Sequence, residues 1–373
     1  MIIKHSKFII DPFGDGGSKR SAQIEELLIH HSFQFKNEQF RLPKNEKITR
    51  LIKLAIRSVH FIGKHVGWSS FPSIKAKIEA IKYFALRIPI LLDNYSGENC
   101  CFIWESTTSN NYGYPFLMKA AGAKIVSIPH NLESVVPTQR DSQTQTMAPR
   151  WFDREIERLM LCDEVFTISK EETWLLRLFG INAHYLPYYP PEECLKSLLE
   201  IRRDRSLRSA NEKKRFLLLG SATNPPTRDG MQLLIDAAVK RRVSFTICVA
   251  GFGTESLKIV DSDSIAFLGA LTVDQLNDLL GTVDALLVYQ PPTSGSLTRI
   301  TEMLIAGVPV FANFDAARNF HNTDDVTIYE SFDDLFEKLE SFLPHEAIMP
   351  IRDVNLENYF VSIVHRLSET SLS

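Results

Sequence analysis

Short runs of β-branched and aromatic residues alternate with stretches of helical apolar spacing along the whole 373-residue chain. Residues 7–10 read as a first strand, and 102–104, 125–128, 164–169 and 184–186 as buried parallel strands, each separated from the next by a plausible helix. After a polar gap the pattern restarts with strands expected at 215–219, 244–250, 265–268, 285–289 and 308–312, and helices at 230–240, 272–280 and 299–306. Strand–helix alternation implies a parallel sheet covered on both faces. Two such series predict two doubly wound, Rossmann-like α/β domains. Pro187, Pro190 and Pro191 break the chain, and residues 200–214 are dense in charge and poor in large apolar side chains. These features predict a first domain over 1–190, a solvated linker over 191–213 and a second domain over 214–345. Leu356, Tyr359, Phe360, Ile363, Val364 and Leu367 recur at helical spacing. The tail 346–373 is therefore expected to hold a helix that packs back toward the first domain.

Charge and composition narrow the picture. Hydrophobic residues make up 44% and charged residues 23%, as in an ordinary globular chain. A net charge of −3 argues against a dedicated nucleic-acid binder. Five cysteines include no C-x-x-C pair, which reads as buried thiols in a reducing cytoplasm. No apolar run approaches the roughly 18 residues that cross a bilayer. The first residues offer too short an apolar stretch for a secretion signal. Residues 41–90 carry eleven Lys or Arg against Glu46 and Glu79, with Ile48, Leu51, Ile52, Ala55, Ile56 and Val59 at helical spacing. That helix either packs with a basic face to solvent or lies on an anionic membrane, which would place the protein in the cytoplasm at the inner membrane face.

In open parallel sheets, ligands bind beyond the carboxyl ends of the strands. The segment from Asp11 to Arg20 holds Gly14, Gly16 and Gly17 just before a helix, so a ligand can approach the backbone and an anion can meet free N–H groups. Neither the spacing of a dinucleotide fingerprint nor a Walker A ending is present. The segment 289–309 is richer still. A strand end leads into the small-residue loop Ser294-Gly295-Ser296-Leu297-Thr298, then Arg299 and Glu302 on a helix that closes at Ala306-Gly307-Val308-Pro309. Loop N–H groups and the helix dipole suit a pyrophosphate, Arg299 adds charge, and a Glu302 carboxylate can accept both hydroxyls of a ribose. Asp261-Ser262-Asp263 mimics a metal motif but reads as a turn, and no metal site is expected.

The order of these features resembles the GT-B glycosyltransferases, in particular the large retaining family 4, or glycosyl transferases group 1. Further landmarks carry the likeness: Gly220-Ser221 followed by Asn224 to Gly230, Val249-Ala250-Gly251, Phe267-Leu268-Gly269-Ala270-Leu271, and in the first half Ser127 to Glu133 and 165–169. The resemblance implies two Rossmann-like domains facing across a cleft and a nucleotide-diphosphate sugar as donor, with no tightly bound cofactor. It implies that Glu302 holds the donor ribose and that Ser296, Leu297 and Thr298 meet the diphosphate. Ser294, Gly295, Arg299, Ser221, Arg228, Gly251, Gly269 and Leu271 fall in the same donor region. His130 would touch the transferred sugar, and Gly16 and Gly17 the diphosphate or the acceptor. His130, Glu133 and Glu105 are the side chains available as an acid or base. Three positions depart from the family. Ser294 stands where a glutamate is common, Ser221 where an arginine is, and Asp229 where a lysine is. The expected function is transfer of a sugar to a saccharide or lipid-linked saccharide in polysaccharide or glycoconjugate biosynthesis. The alternatives are an inactive GT-B-like partner subunit and a sugar-nucleotide epimerase.

Overall fold

A computed structural model describes residues 1–37, 48–71, 73–96, 100–105, 113–136, 150–207, 213–257 and 262–369. The chain forms two compact units. The first comprises Met1–Ile10, Ile24–Pro187 and Asp353–Ser373, and the second Asp11–Gln23 and Tyr188–Arg352.

The first unit holds β1 (Ile2–His5), β2 (Phe35–Asn37), β3 (Cys101–Glu105), β4 (Lys124–Ile128), β5 (Glu164–Thr167) and β6 (Ala183–Tyr185). They form one parallel sheet in the order β2-β1-β3-β4-β5-β6. The first strand lies five residues before the expected 7–10. Ile2 and Ile3 are buried and pair with Cys101 and Phe102, whereas Ile9 is 76% exposed. Lys4 hid this strand in the sequence, because a lysine inside a short strand interrupts the apolar run. Burial is possible here because Glu105 pairs with its ammonium at 2.9 Å. The final helix, Val354–Glu369, belongs to this unit. Phe360, Ile363, Val364 and Leu367 share a core with Ile24, Ile103, Val126 and Phe166, and Arg366 bonds Glu164 at 2.6 Å.

The second unit holds β7 (Arg215–Leu219), β8 (Thr246–Ala250), β9 (Ile265–Gly269), β10 (Ala285–Val288), β11 (Val310–Asn313) and β12 (Val326–Tyr329). Its sheet is also parallel, in the order β12-β11-β10-β7-β8-β9. Alternate residues bury on opposite faces. Leu217, Leu286 and Val310 enter one core, while Phe216, Leu218, Leu287 and Phe311 enter the other. Strands β2 and β12 were not legible in the apolar pattern, since both are edge strands of three and four residues with partly exposed side chains.

Most of the expected linker is a helix, Glu192–Ser206; residues 208–212 of that span lie outside the described residues. The charge run is not solvated throughout. Arg205 donates to the carbonyls of Gly307 (3.2 Å) and Val283 (2.7 Å), and Arg202 to that of Leu304 (3.0 Å). These arginines satisfy carbonyls at the ends of the helices Val273–Thr282 and Thr298–Ile305, where cations suit the negative dipole end. Cys194, Leu198 and Ile201 bury the apolar stripe between them.

The basic region forms the helices Ile48–Phe61 and Ile74–Arg87, with 41–47 and Pro72 outside the described residues. Ile52, Ile56, Val59, Ile74 and Ile78 are exposed. Among the described residues, no helix is long and apolar enough to cross a membrane.

Candidate functional site

Each sheet has a point where its strand order reverses, between β1 and β3 in the first and between β7 and β10 in the second. Connections there leave in opposite directions and open a crevice at the carboxyl ends of the strands. Both candidate centres sit at such a point.

In the second unit, Gly220 follows β7 and Gly251 follows β8. A Cβ on Gly251 would stand 2.1 Å from the Gly220 carbonyl oxygen, and φ is +127°, so only glycine fits. The Gly251 N–H donates to the Gly269 carbonyl at 2.8 Å, joining the three strand ends. After β10, Gln290 is clamped by Asn313, which accepts its N–H (2.9 Å) and donates to its carbonyl (2.8 Å). Arg318 and Asn319 both donate to the Gly295 carbonyl and pin the small-residue loop. The helix Thr298–Ile305 starts from Leu297 with no side-chain cap. Apart from Ile300, whose N–H donates to the Leu297 carbonyl at 3.0 Å, its first N–H groups thus have no side-chain cap among the described residues, at the positive end of the helix dipole.

Arg299 lies on the second residue of that helix. Its guanidinium packs against Gly220, where a Cβ would be 2.8 Å from Nη1. Nη2 reaches Gln290 at 3.5 Å, and among the described residues Nε has no hydrogen-bond partner. Burial without a carboxylate lowers its pKa from 12.5 to about 10. An unpaired cation beside an uncapped helix N-terminus is chemically suited to an anion.

Glu302 follows one turn later and is 4% exposed. Its two carboxylate oxygens are engaged separately: Tyr188 Oη donates to Oε1 at 2.7 Å and Lys19 Nζ to Oε2 at 2.6 Å. Burial first, and then the Glu302 charge, pushes the Tyr188 phenol far above its ordinary range, so it acts only as a neutral donor. Burial alone would lower the Lys19 ammonium, but the Glu302 charge and hydrogen bond outweigh it and the net shift is upward. Gly16 reaches the same place, since a Cβ there would be 3.3 Å from Thr298 Oγ1.

The structure thus brings together Gly16, Gly251, Gly269, Thr298, Arg299 and Glu302 from the expected set. Others have different settings. Arg228 is exposed and bonds its neighbour Asp229 at 2.9 Å, and Ser221 pairs with Thr223 at 2.7 Å. Leu271 and Leu297 pack their side chains against the core that holds Leu280 and Ile300. Ser294 and Ser296 are partly buried in the pinned loop, and Gly17 follows Gly16 in the helix Gly16–His30. Lys19 and Tyr188 were missed. Lys19 carried a signal, standing one turn beyond Gly16; Tyr188, inside Pro187-Tyr188-Tyr189-Pro190, carried none.

In the first unit, Glu105 ends β3 and His130 follows β4. His130 Nε2 lies 3.6 Å from Glu105 Oε2, while Lys4 holds Oε1. Phe8 stacks on the imidazole with ring centroids 4.7 Å apart. Glu133 has another setting: its N–H donates to Glu155 at 3.0 Å, which ties the turn Glu133–Val135 to the helix Arg150–Leu159. Among the described residues, no group of three or more His, Cys, Asp or Glu could hold a metal ion; Asp261 lies outside them.

No family model and no curated protein matches the sequence. Solved structures do match its fold over nearly the whole chain. Sucrose-phosphate synthase from Thermosynechococcus elongatus is 14% identical at a TM-score of 0.57, covering 100% of this chain and 94% of that one. A trehalose-6-phosphate protein from E. coli, bound with UDP-2-fluoro glucose, is 11% identical at 0.56, covering 98% and 95%. Anabaena HepE, in complex with UDP and glucose, is 13% identical at 0.54, covering 99% of both chains. These neighbours are glycosyltransferases of GT-B architecture, and with two parallel six-stranded α/β sheets this chain has the GT-B fold.

Proposed function

We propose that this protein transfers a sugar, with retention of configuration, from a nucleoside diphosphate donor to a saccharide or lipid-linked saccharide in polysaccharide or glycoconjugate biosynthesis. The observation that carries this reading is the buried Glu302 carboxylate one turn inside an uncapped helix, next to the unpaired Arg299. A carboxylate there accepts ribose hydroxyls, and the helix N-terminus with Arg299 receives the diphosphate. Of the fold neighbours, the E. coli protein is bound with UDP-2-fluoro glucose and Anabaena HepE is in complex with UDP and glucose, which supports a donor of this class.

The acceptor oxygen bonds to the anomeric carbon as the carbon–oxygen bond to the diphosphate breaks, and the electron pair leaves with the diphosphate. Arg299 and the Thr298 N–H group stabilise that charge. On the retaining path a diphosphate oxygen takes the acceptor proton. His130, 3.6 Å from Glu105, is the side chain available to orient the sugar hydroxyls; on an inverting path it would serve as the base. The exposed isoleucines of the helices Ile48–Phe61 and Ile74–Arg87, beside Lys53, Lys64, Lys75 and Lys77, support contact with an anionic membrane. Wild-type protein is then expected to sediment with vesicles rich in anionic lipid, and Ile52→Ser with Ile56→Ser to stay in solution. Equal sedimentation of both would remove the membrane from the account.

One observation favours a second reading. Glu302 has both oxygens occupied, and Ser221 and Asp229 stand where the family carries cations, as in a subunit that has lost donor binding. Nucleoside diphosphate release from a panel of nucleotide sugars, with and without oligosaccharide acceptors, separates the readings. Acceptor-dependent release that is lost in Glu302→Gln supports the transferase. Conversion of the sugar nucleotide without acceptor indicates an epimerase, and inertness toward every donor favours the inactive partner.

A further inference from the structure

The sequence lacks cations at Ser221 and Asp229, and Arg228 is spent on Asp229. One further cation does stand at the site. Gly16 meets Thr298, and Lys19, three residues after Gly16, meets Glu302, four residues after Thr298. The start of the helix Gly16–His30 thus meets the helix Thr298–Ile305 at two points, Gly16 beside its first residue and Lys19 one turn further in. The N-terminus of Gly16–His30 is already answered by Asp15, which accepts the Ser18 N–H at 2.8 Å. That of Thr298–Ile305 has no side-chain cap. Four residues of helix span about 6 Å, a distance a lysine stem covers by rotation alone.

We propose that Lys19 is a diphosphate-binding residue of the donor site, stationed on Glu302 until the nucleotide arrives. This inference rests on the donor site proposed above. When the ribose diol claims Glu302 Oε2, the ammonium is displaced and swings toward the phosphates at the uncapped N-terminus. Tyr188 remains on Oε1 and keeps the carboxylate oriented. One lysine thereby serves two anions in turn. It neutralises a buried carboxylate in the empty site, and in the filled site it supplies the charge that Ser221 and Asp229 do not. The exchange also makes the site selective. A nucleoside must displace Lys19 with nothing in return for its charge, whereas a nucleoside diphosphate offers the lysine a new partner.

The test is calorimetry of wild-type protein, Lys19→Met and Lys19→Arg with a nucleoside diphosphate and its matching nucleoside, taken from the uridine, guanosine, adenosine and thymidine series. Lys19→Met is expected to lose about tenfold to hundredfold in diphosphate affinity, the worth of a charged hydrogen bond. Nucleoside affinity is expected to hold or rise, so the ratio of the two collapses, and Lys19→Arg restores it. If Lys19→Met weakens both ligands equally, the lysine only positions Glu302 and the proposal is overturned. A gain for both ligands would make it a lock without a phosphate role, which overturns it as well. Should Lys19→Met fail to fold, Glu302→Gln gives the converse measurement. With the lysine released, the diphosphate-to-nucleoside ratio should rise even as nucleoside binding falls, and an unchanged ratio would refute the exchange. Wild-type protein that binds none of the four diphosphates refutes the donor site itself.

Discussion

Replacing Arg299 by methionine removes a guanidinium whose charged form burial disfavours. Its pKa falls from 12.5 to about 10 because the charged form has lost water and gained no carboxylate. Each tenfold in proton affinity is worth about 1.4 kcal/mol, so the shift corresponds to roughly 3 kcal/mol against the cation. Solvent still reaches part of the side chain, which lowers the expected penalty to about 1–2 kcal/mol. The sign is fixed by linkage. A base with a depressed folded pKa destabilises the fold at neutral pH, and the penalty disappears only as pH rises past the folded value toward 12.5. Methionine keeps most of the stem volume without the charge. Ligand-free Arg299→Met is thus expected to unfold about 2–8 °C higher than wild type in a thermal melt, at roughly 2–4 °C per kcal/mol for a unit of this size. The same variant should lose the stabilisation that a nucleoside diphosphate gives wild-type protein. Stability and binding move in opposite directions, as expected of a residue kept for its ligand rather than for the fold. A ligand-free melt lowered by several degrees, or an unchanged response to the nucleotide, would refute the reasoning.

Gly230→Ala is expected to destabilise by about 1–3 kcal/mol, because its Cβ would stand 2.2 Å from the Tyr289 carbonyl oxygen and backbone must shift. Gly281→Ala, in the helix Val273–Thr282 with nothing within 4 Å of its Cβ, should instead stabilise by about 0.4–1 kcal/mol; denaturant titration reads both, and equal effects would contradict the packing described. Asp163 titrates below its ordinary 3.8: burial opposes this, but the Ile125 N–H and the ammonium groups of Lys119 and Lys124 outweigh it. Its contribution is present above 3.8 and lost as pH falls through the depressed folded value, so Asp163→Asn should flatten the acid limb of the stability curve below about pH 4.

The parallel sheets were readable because their inner strands are buried on both faces and therefore appear as continuous apolar runs, as at 215–219 and 285–289. The same rule hid β1, where Lys4 interrupts the run and the distant Glu105 and Glu25 make its burial tolerable. It hid the helix Glu192–Ser206 too, since a local reading cannot know that Arg205 meets the Gly307 and Val283 carbonyls. Arg299 and Glu302 were legible from their place after a small-residue loop at a strand end. Lys19 had only its place one turn beyond Gly16 to mark it and Tyr188 had nothing, because their contacts with Glu302 join residues 283 and 114 positions apart. Arg228 stands in a suitable sequence position for a cation, and in the structure it is exposed and bonds Asp229 beside it.

The central claim is that Glu302 anchors a nucleoside diphosphate, and thermal melts with UDP, GDP, ADP and dTDP on wild-type protein and Glu302→Gln test it most directly. A ligand that binds only the folded state stabilises it by about 2.7 kcal/mol at a hundredfold excess over Kd. The account predicts that one of the four raises the wild-type midpoint by several degrees and that Glu302→Gln loses most of that rise. No rise with any of them at millimolar concentration, or the same rise in both proteins, would contradict it.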